Sequence, residues 1–438
     1  MPDQAHSSDP SVQAQLDRLA QLSPGRDILG LERITALLTR LGNPQHSLPP
    51  VFHVAGTNGK GSTCAFLRAA LEADGKSIHA YTSPHLVRFN ERIRVNGKLI
   101  ADAELAHYLT IALDHSDGIG ASFFEVTTAA AFLAFAENPA DACIIEVGLG
   151  GRLDATNVIS APAVCGIAQL GIDHQSFLGE SLLEIAGEKA GIAKRDAPLV
   201  TMKYPDPINN IIRATAEQAG ASWLPMGQDW DAAVYRERLH YRDAEGRIDI
   251  PLPRMPGAHQ TTNAALALAM LRHQNVLSIS EAAIKAAPLW AHWPARLQRL
   301  ERGPLTNLLP NADIWLDGGH NPAAAEVLAQ HFHASLPPPR KIHLVLGMLA
   351  NKDLIGFLTP LQDHLGSVHA IPVPDHDHHD PGSIVKLASD WGIKGETHSD
   401  IAGALSAIAD KDQPTTILIG GSLYLAGEVL RRNEQVPD

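Results

Sequence analysis

The sequence predicts an α/β protein of two domains, each built on a mostly parallel sheet flanked by helices. Three observations carry this. Short apolar runs alternate with longer stretches of helical composition, the rhythm of βαβ units. Several runs end in glycine-rich turns that open directly into helices. The chain is also 438 residues long, more than one hydrophobic core usually supports. The larger, P-loop-type domain is expected over residues 1–295. A smaller Rossmann-like domain is expected over residues 296–438.

The elements follow in order. Val51–Ala55 reads as a strand and Gly61–Ala73 as the helix after its turn. Ile78–Tyr81 is a second strand, Phe124–Glu137 an alanine-rich helix and Ala142–Val147 a buried strand. Ala163–Leu170 and Leu199–Met202 add two strands, with the helix Ser181–Lys194 between them. Alternation through Val234–Pro253 predicts an antiparallel hairpin turning at Glu245–Gly246. Helices at His259–Gln274 and Ser280–Ala287 come next, and Pro288 and Pro294 mark a break. Beyond it, Asp313–Leu316, Ile342–Leu346, Ser367–Val373 and Thr416–Ile419 read as strands. Their companion helices are Pro322–Leu336, Leu354–Asp363, Ile384–Trp391, Ile401–Asp410 and Leu423–Arg432.

Composition narrows the class. Hydrophobic residues make up 45%, which suits a globular protein and not a disordered one. No apolar run reaches the roughly 18 residues of a membrane span. Met1–Pro10 is polar and lacks the pattern of a signal peptide. Cys64, Cys143 and Cys165 form no CxxC pair and read as buried thiols of a reducing cytosol. A net charge of −13 argues against a nucleic-acid coat while leaving anionic small molecules open.

The strongest local signal is HVAGTNGKGS, His53–Ser62. A strand enters, glycines turn the chain, and a helix leaves after Lys60. Backbone N–H groups at such a turn point at phosphate oxygens, and the helix start adds positive potential. The fit to GxxxxGK[ST] is imperfect. Val54 stands at the first glycine position and Gly61 replaces the hydroxyl residue, so a hydroxyl for Mg²⁺ must come from elsewhere. A ligand-free βα turn is the alternative reading.

Three further segments offer chemistry. In EVGLGGRLDATN, Glu146–Asn157, the third glycine of a dinucleotide fingerprint would fall on Leu153, so that reading fails. Glu146 remains, at a strand's carboxyl end, either as a hard oxygen ligand for Mg²⁺ or as an ordinary strand-end acid. His174, in GIDHQSFLG after the next strand, is a candidate ligand or a structural histidine. Lys189 lies within a helix beside Glu188; if buried, its amine loses basicity and can take up CO₂ as a carbamate, and if exposed it is a surface lysine. In the second half, Asp317 and His320 sit on the strand-to-helix turn LDGGHNP, and Arg296 stands at the domain junction as a cationic arm toward phosphates. The DHDHHD run, Asp375–Asp380, is either a transition-metal site or a solvated loop.

Taken in order, these segments resemble the folylpolyglutamate synthase/dihydrofolate synthase family of the Mur ligase superfamily, over nearly the whole chain. The likeness extends through DILGLERI (Asp27–Ile34), YTSPHLVRFNERIRV (Tyr81–Val95), SFFEVTT (Ser122–Thr128), GEKAGI (Gly187–Ile192), TTNAALAL (Thr261–Leu268), RLQ (Arg296–Gln298) and GML..KD (Gly347–Asp353). GTNGKGS is the family's usual phosphate loop.

The resemblance implies ATP, two Mg²⁺ ions and room for a monovalent cation. Thr57, Asn58, Gly59, Lys60, Gly61 and Ser62 would hold the phosphates. Asn263, Arg296 and Asp317 would contact ATP, with His320 nearby as a catalytic group. Ser83 and Glu146 would bind one metal ion, and His174, supported by a carbamylated Lys189, the second. Ile28, Leu29, Gly30, Leu31, Ser122, Phe123, Phe124, Glu125, Leu153, Asp154 and Ala155 would bind dihydropteroate or folate, with the two phenylalanines available to stack on a pterin. The substrates implied are dihydropteroate, reduced folates and L-glutamate, handled by a cytoplasmic monomer with neither nucleic acid nor membrane as partner. A UDP-muramoyl-peptide ligase, a monofunctional folylpolyglutamate synthase and a phosphate-loop nucleotide switch are the competing expectations. DILGLERI and SFFEVTT favour the folate branch over the first, and SFFE favours two activities over the second. The strand-end carboxylate and histidine speak against the third.

Overall fold

The structure, a computed structural model, describes residues 5–22, 29–336, 341–408 and 415–438. The chain divides into two compact units. One comprises Met1–Arg254 with Gln260–His292 and Asp438; the other comprises Met255–His259 with Trp293–Pro437.

Among the described residues, the larger sheet of the first unit has eight strands: β1 (Val51–Ala55), β2 (Ile78–Tyr81), β3 (Ile93–Val95), β4 (Lys98–Leu99), β5 (Ala142–Glu146), β6 (Val164–Ile167), β7 (Pro198–Thr201) and β8 (Ser222–Pro225). Their order is β4-β3-β2-β5-β1-β6-β7-β8. All pairs from β2 to β8 are parallel, and β3 and β4 form an antiparallel edge. The central strands β1, β5 and β6 are buried along their whole length. They read as apolar runs because helices cover both faces. The helix Phe123–Glu137 is buried from Phe123 to Phe135 save for Phe124 and packs with Tyr81, Cys143 and Ile145 in one core. On another part of the sheet, Ile167 and Leu199 meet Ala186, Ala190, Ile208 and Ile212.

A separate three-stranded sheet corrects the expected hairpin: β9 (Trp230–Tyr235), β10 (Arg238–Asp243) and β11 (Gly246–Pro251) pair in the order β11-β10-β9. The reversal near Glu245–Gly246 is present. The one before it falls on Arg236 and Glu237, both with positive φ (47° and 57°). Two-residue turns with that backbone normally signal themselves by Asn or Gly, and neither is there.

The second unit carries β12 (Gln298–Arg299), β13 (Ala312–Leu316), β14 (Ile342–Leu346), β15 (Leu365–Ala370), β16 (Lys394–Thr397) and β17 (Thr415–Gly420). The order is β12-β13-β17-β14-β15-β16, with β12 antiparallel and the rest parallel. One face packs Leu344, Leu346, Val368, Ala370 and Leu418 against Phe332, Phe357 and Ile384. Of the helix expected over Ile401–Asp410, Ile401–Ile408 is seen, and residues 409–410 lie outside the described residues. Among the described residues, no helix is long and apolar enough to cross a membrane.

One packing contact positions the functional residues. The loop after β5 lies directly on the helix Leu182–Ala190. Arg152 N–H donates to the Glu188 carbonyl at 2.8 Å. The Asn157 amide donates to the carbonyls of Arg152 (2.9 Å) and Gly191 (3.0 Å). A Cβ added at Gly151 would sit 2.7 Å from the Glu188 carbonyl oxygen and 3.0 Å from Lys189 Cα. Those atoms are backbone and cannot swing aside. Gly151→Ala is therefore expected to destabilise the fold by about 1–3 kcal/mol, the usual cost of overpacking. The check is a lowered urea midpoint with an unchanged slope.

Candidate active site

The phosphate loop leaves β1 and turns at Gly56 (φ 152°) and Gly59 (φ 81°). Both need glycine. A side chain at Gly56 would meet Ala168 Cβ at 2.9 Å, and one at Gly59 would meet Asn263 Oδ1 at 2.4 Å. The loop is tied to the end of β6. The Thr57 and Asn58 N–H groups donate to the Gln169 carbonyl (2.8 and 3.1 Å). The Thr57 hydroxyl donates to the Gly171 carbonyl at 3.0 Å, and Gly171 N–H lies 3.1 Å from the same hydroxyl oxygen. Those two loop amides are thus committed to the scaffold.

The helix Lys60–Ala73 begins next, and its first intrahelical bond is Thr63 N–H to the Gly59 carbonyl. The amides of Lys60, Gly61 and Ser62 therefore have no intrahelical acceptor, the arrangement that suits an anion. The Lys60 ammonium folds back onto the carbonyls of Gly56 (3.1 Å) and Thr57 (3.3 Å). Asn263 is buried beside the loop, its amide donating to Gln260 Oε1 at 3.0 Å.

Oxygen donors come from neighbouring strand ends. Ser83 N–H donates to Glu146 Oε2 at 3.4 Å. This brings together a hydroxyl residue after β2 and a buried carboxylate ending β5. His174, in the left-handed region (φ 53°), is exposed, and its N–H donates to the Asp173 carboxylate at 2.8 Å. Lys189 is buried. Burial and the nearby Lys60 charge push its amine down to about 7, partly offset by Asp173, Asp154 and Glu188. Of the two readings open for this lysine, the buried one holds.

The residues expected at the pterin divide. Ser122 and Glu125 form a reciprocal N-terminal cap, Ser122 N–H donating to Glu125 Oε2 at 2.7 Å and Glu125 N–H to Ser122 Oγ at 3.3 Å. Glu125 also pairs with Arg33 at 3.0 Å. Phe123 is in the core, edge-on to Phe89 at 6.0 Å. Phe124 is only partly buried and lies over Gly148, where a Cβ would come within 2.4 Å of its ring. It is the phenylalanine left with a face to offer.

Asp154 is buried and caps the turn Ala155–Val158, accepting from Leu149 N–H (2.8 Å) and Thr156 N–H (3.0 Å). Burial nevertheless raises its pKa. Leu153 is partly buried and Ala155 buried. Leu29 and Leu31 are partly buried and Gly30 buried, and Ile28 lies outside the described residues.

In the second unit, Asp317 is nearly buried and accepts from Leu297 N–H and Gly319 N–H, both at 2.7 Å. Arg296 donates to the Ala295 carbonyl at 2.9 Å, between two buried residues, Ala295 and Leu297, held at positive φ (54° and 45°). Non-glycine residues in that region store strain, a feature that clusters at functional sites. His320 Nδ1 lies 3.0 Å from the Gly318 carbonyl, and Asn321 caps the helix Pro322–Ser335. The DHDHHD run is largely structural. His379 N–H donates to the Met348 carbonyl at 2.9 Å, His376 stacks on Tyr424 at 3.9 Å, and Asp380 caps the helix Pro381–Asp390.

Sequence reading missed three participants. The Gln169 carbonyl, which anchors the loop, has no side-chain signature. Asp173, adjacent to His174, was visible as an acid at a strand end. His53, directly before the loop, is buried with Nε2 2.9 Å from Thr156 Oγ1, which leads on to Asp154. Burial lowers its pKa to about 3, so it is neutral.

Comparison with known proteins follows this geometry. Residues 54–271 match the family model of the Mur ligase middle domain, and residues 306–432 match that of the dihydrofolate synthetase C-terminal domain. The dihydrofolate synthase/folylpolyglutamate synthase of Escherichia coli (strain K12) is 35% identical over 405 residues, covering 92% of this chain and 90% of that protein. A solved structure of E. coli FolC in complex with DHPP and ADP has a TM-score of 0.86 at 32% identity, covering 97% of each chain. A bifunctional folylpolyglutamate synthase/dihydrofolate synthase with Mn, AMPPNP and L-glutamate bound has a TM-score of 0.84 at 30% identity, covering 98% of this chain and 99% of that one. The phosphate loop, the strand-end oxygen donors and the buried lysine thus sit in a chain that belongs to the dihydrofolate synthase/folylpolyglutamate synthase family, within the Mur ligases.

Proposed function

We propose that the protein is an ATP-dependent ligase that adds L-glutamate to dihydropteroate, giving dihydrofolate, and to reduced folates, giving polyglutamates. The observation that carries this is the phosphate loop at the end of β1, flanked by Ser83, whose backbone N–H donates to the Glu146 carboxylate, and by the buried Lys189. The ADP and DHPP of one related structure, and the AMPPNP, Mn and L-glutamate of another, support the same reading.

Lys60 and the amides of Lys60, Gly61 and Ser62 hold the β- and γ-phosphates, with Thr57, Asn58, Gly59 and Asn263 shaping the loop. A hydroxyl and a carboxylate are hard oxygen donors and fit Mg²⁺. Ser83 and Glu146 would hold one ion and His174 a second, with a monovalent cation as a further occupant. Bound there, Mg²⁺ supplies neutralisation of charge on the transferring phosphoryl group. A carboxylate oxygen of the substrate attacks the γ-phosphorus, and ADP leaves. The glutamate amine then attacks the acyl carbon of the acyl phosphate, loses a proton, and phosphate departs. Arg296, Asp317 and His320 are further residues that we assign to the nucleotide.

Phe124 offers its ring to the pterin. Leu29, Gly30, Leu31, Ser122, Glu125, Leu153, Asp154 and Ala155 hold the surrounding backbone, largely through caps and core contacts. We divide the chain at residue 296, and the family matches at 54–271 and 306–432 support that division. A cytoplasmic monomer is the setting we assign, and three buried free thiols suit a reducing compartment.

Release of ADP and phosphate is expected only when a pteroate or folate acceptor and glutamate are both present. Paired assays with dihydropteroate and tetrahydrofolate check this, and rapid ATP hydrolysis without either acceptor would overturn the ligase reading. Lys60→Ala is expected to lower kcat by about 10²-fold or more with an unchanged circular dichroism spectrum; near-normal turnover would remove Lys60 from the phosphates.

Lys189 is proposed to react with CO₂ as a neutral amine. The neutral fraction falls as pH drops through about 7, so at fixed dissolved ¹³CO₂ a carbamate NMR signal is expected above pH 7. It should fade toward pH 6, be absent in Lys189→Ala, and the activity of that variant should be partly rescued by a short carboxylate. An unmodified amine throughout would defeat this assignment.

A further inference from the structure

Away from the phosphate loop, one face of the second unit's sheet carries a line of polar groups. His343 on β14, Ser367 and His369 on β15, and Lys394 and Glu396 on β16 follow from the strand registers. Ser367 pairs with both His343 and Lys394, and His369 with Glu396, so these side chains share a face. His398 comes two residues after Glu396. His369 and Ser367 are buried, while Glu396 and His398 are partly exposed. Among the described residues, the ligand atoms of His369, Glu396 and His398 all lie within 4.8 Å of one another.

The hydrogen bonds permit a tautomer suited to a ligand. Ser367 Oγ lies 2.8 Å from His369 Nε2 and 2.8 Å from His343 Nδ1. A hydroxyl has one proton. If Ser367 donates it to His343, then His369 Nε2 must carry hydrogen and donate to Ser367. That tautomer leaves the lone pair of His369 on Nδ1, the atom 3.0 Å from His398 Nε2. A ligating histidine commonly has its second ring nitrogen held in this way. Two nitrogens bound at about 2.0–2.1 Å to a tetrahedral ion stand roughly 3.3–3.4 Å apart, so the rings need part by only a few tenths of an ångström. Burial, reinforced by His398, pushes His369 down to about 4, which keeps the ring neutral at physiological pH.

We propose that His369 Nδ1, His398 Nε2 and the Glu396 carboxylate form a site for a divalent transition metal ion of the Zn²⁺ or Co²⁺ kind. Two imidazoles and one carboxylate suit such ions and not Mg²⁺, which prefers oxygen throughout. The partly exposed Glu396 and His398 give the ion a way in. The Lys394 ammonium, 2.9 Å from Glu396, occupies the carboxylate in the metal-free state and swings away on binding. The ion clips β16, the last strand of the sheet, to β15. The site is independent of the glutamate-ligase reading, since none of its residues serves that chemistry.

The test is Co²⁺ titration of the full chain in excess Mg²⁺, followed by visible d–d absorption and by metal content after dialysis. The expected result is one Co²⁺ per chain, displaced by Zn²⁺, with a rise in Tm. His398→Ala, at a partly exposed position, should abolish the bands and the Tm rise. Ser367→Ala should weaken binding by about 10- to 100-fold. The His376→Ala/His378→Ala double variant should bind as the wild type does. Absence of Co²⁺ bands in the wild type, bands that survive His398→Ala, or bands lost in the double variant would overturn the proposal.

Discussion

The first unit depends on how closely two backbone segments run. The turn after β1 lies against the end of β6 with no room for a side chain at Gly56, and the Gln169 carbonyl accepts two of the turn's N–H groups. This contact fixes which amides remain to face a ligand. With Thr57 and Asn58 committed to Gln169, the first turn of the helix Lys60–Ala73 carries the unsatisfied donors. The phosphate-binding potential is therefore set by a carbonyl on another strand as much as by the glycines of the loop itself. Such pre-organisation avoids reordering the backbone when the ligand arrives.

Parallel strand order does the rest of the gathering. β2, β5, β1 and β6 are adjacent and point the same way, so Ser83, Glu146, Gly56 and His174 follow strands that end at one edge. This is where open α/β sheets place ligands. Position 61 lacks a hydroxyl, and Ser83, after β2 at the same edge of the sheet, is a hydroxyl residue beside Glu146. The loop after β5 has a second function as packing material. Its glycines let it lie on the backbone around Glu188 and Lys189, and Lys189 is thereby held among Asp154, Asp173 and Lys60.

Strands β1, β2, β5, β6, β7, β13, β14 and β17 were legible because parallel strands covered by helices are short, mainly apolar runs bounded by turns. The two-residue strands β4 and β12 carry too little pattern to be read. The helix Asp206–Ala219 was readable from Ile208, Ile212 and Ala216 at helical spacing but was passed over. Phosphate-loop residues were legible because glycine and lysine at fixed spacing have few other uses. The segment expected at the pterin was harder. SFFE carries the S-x-x-E signature of an N-terminal cap, and the structure uses Ser122 and Glu125 in that way. Burial separated Phe123 from Phe124, a distinction that adjacent identical letters cannot hold. The His369–Glu396–His398 group was invisible because His369 on β15 stands 27 residues before Glu396 on β16, with His398 just past that strand, while the conspicuous DHDHHD run is spent on caps and backbone contacts.

Lys60 is close enough to Lys189 to make the positive charge of Lys189 more costly. Interaction energies of this kind are reciprocal. Proton loss from Lys189 removes that repulsion. A polyanion seated on Lys60 in turn relieves Lys189. On the reading proposed above, occupancy by a nucleotide and the charge state of Lys189 would therefore be linked variables.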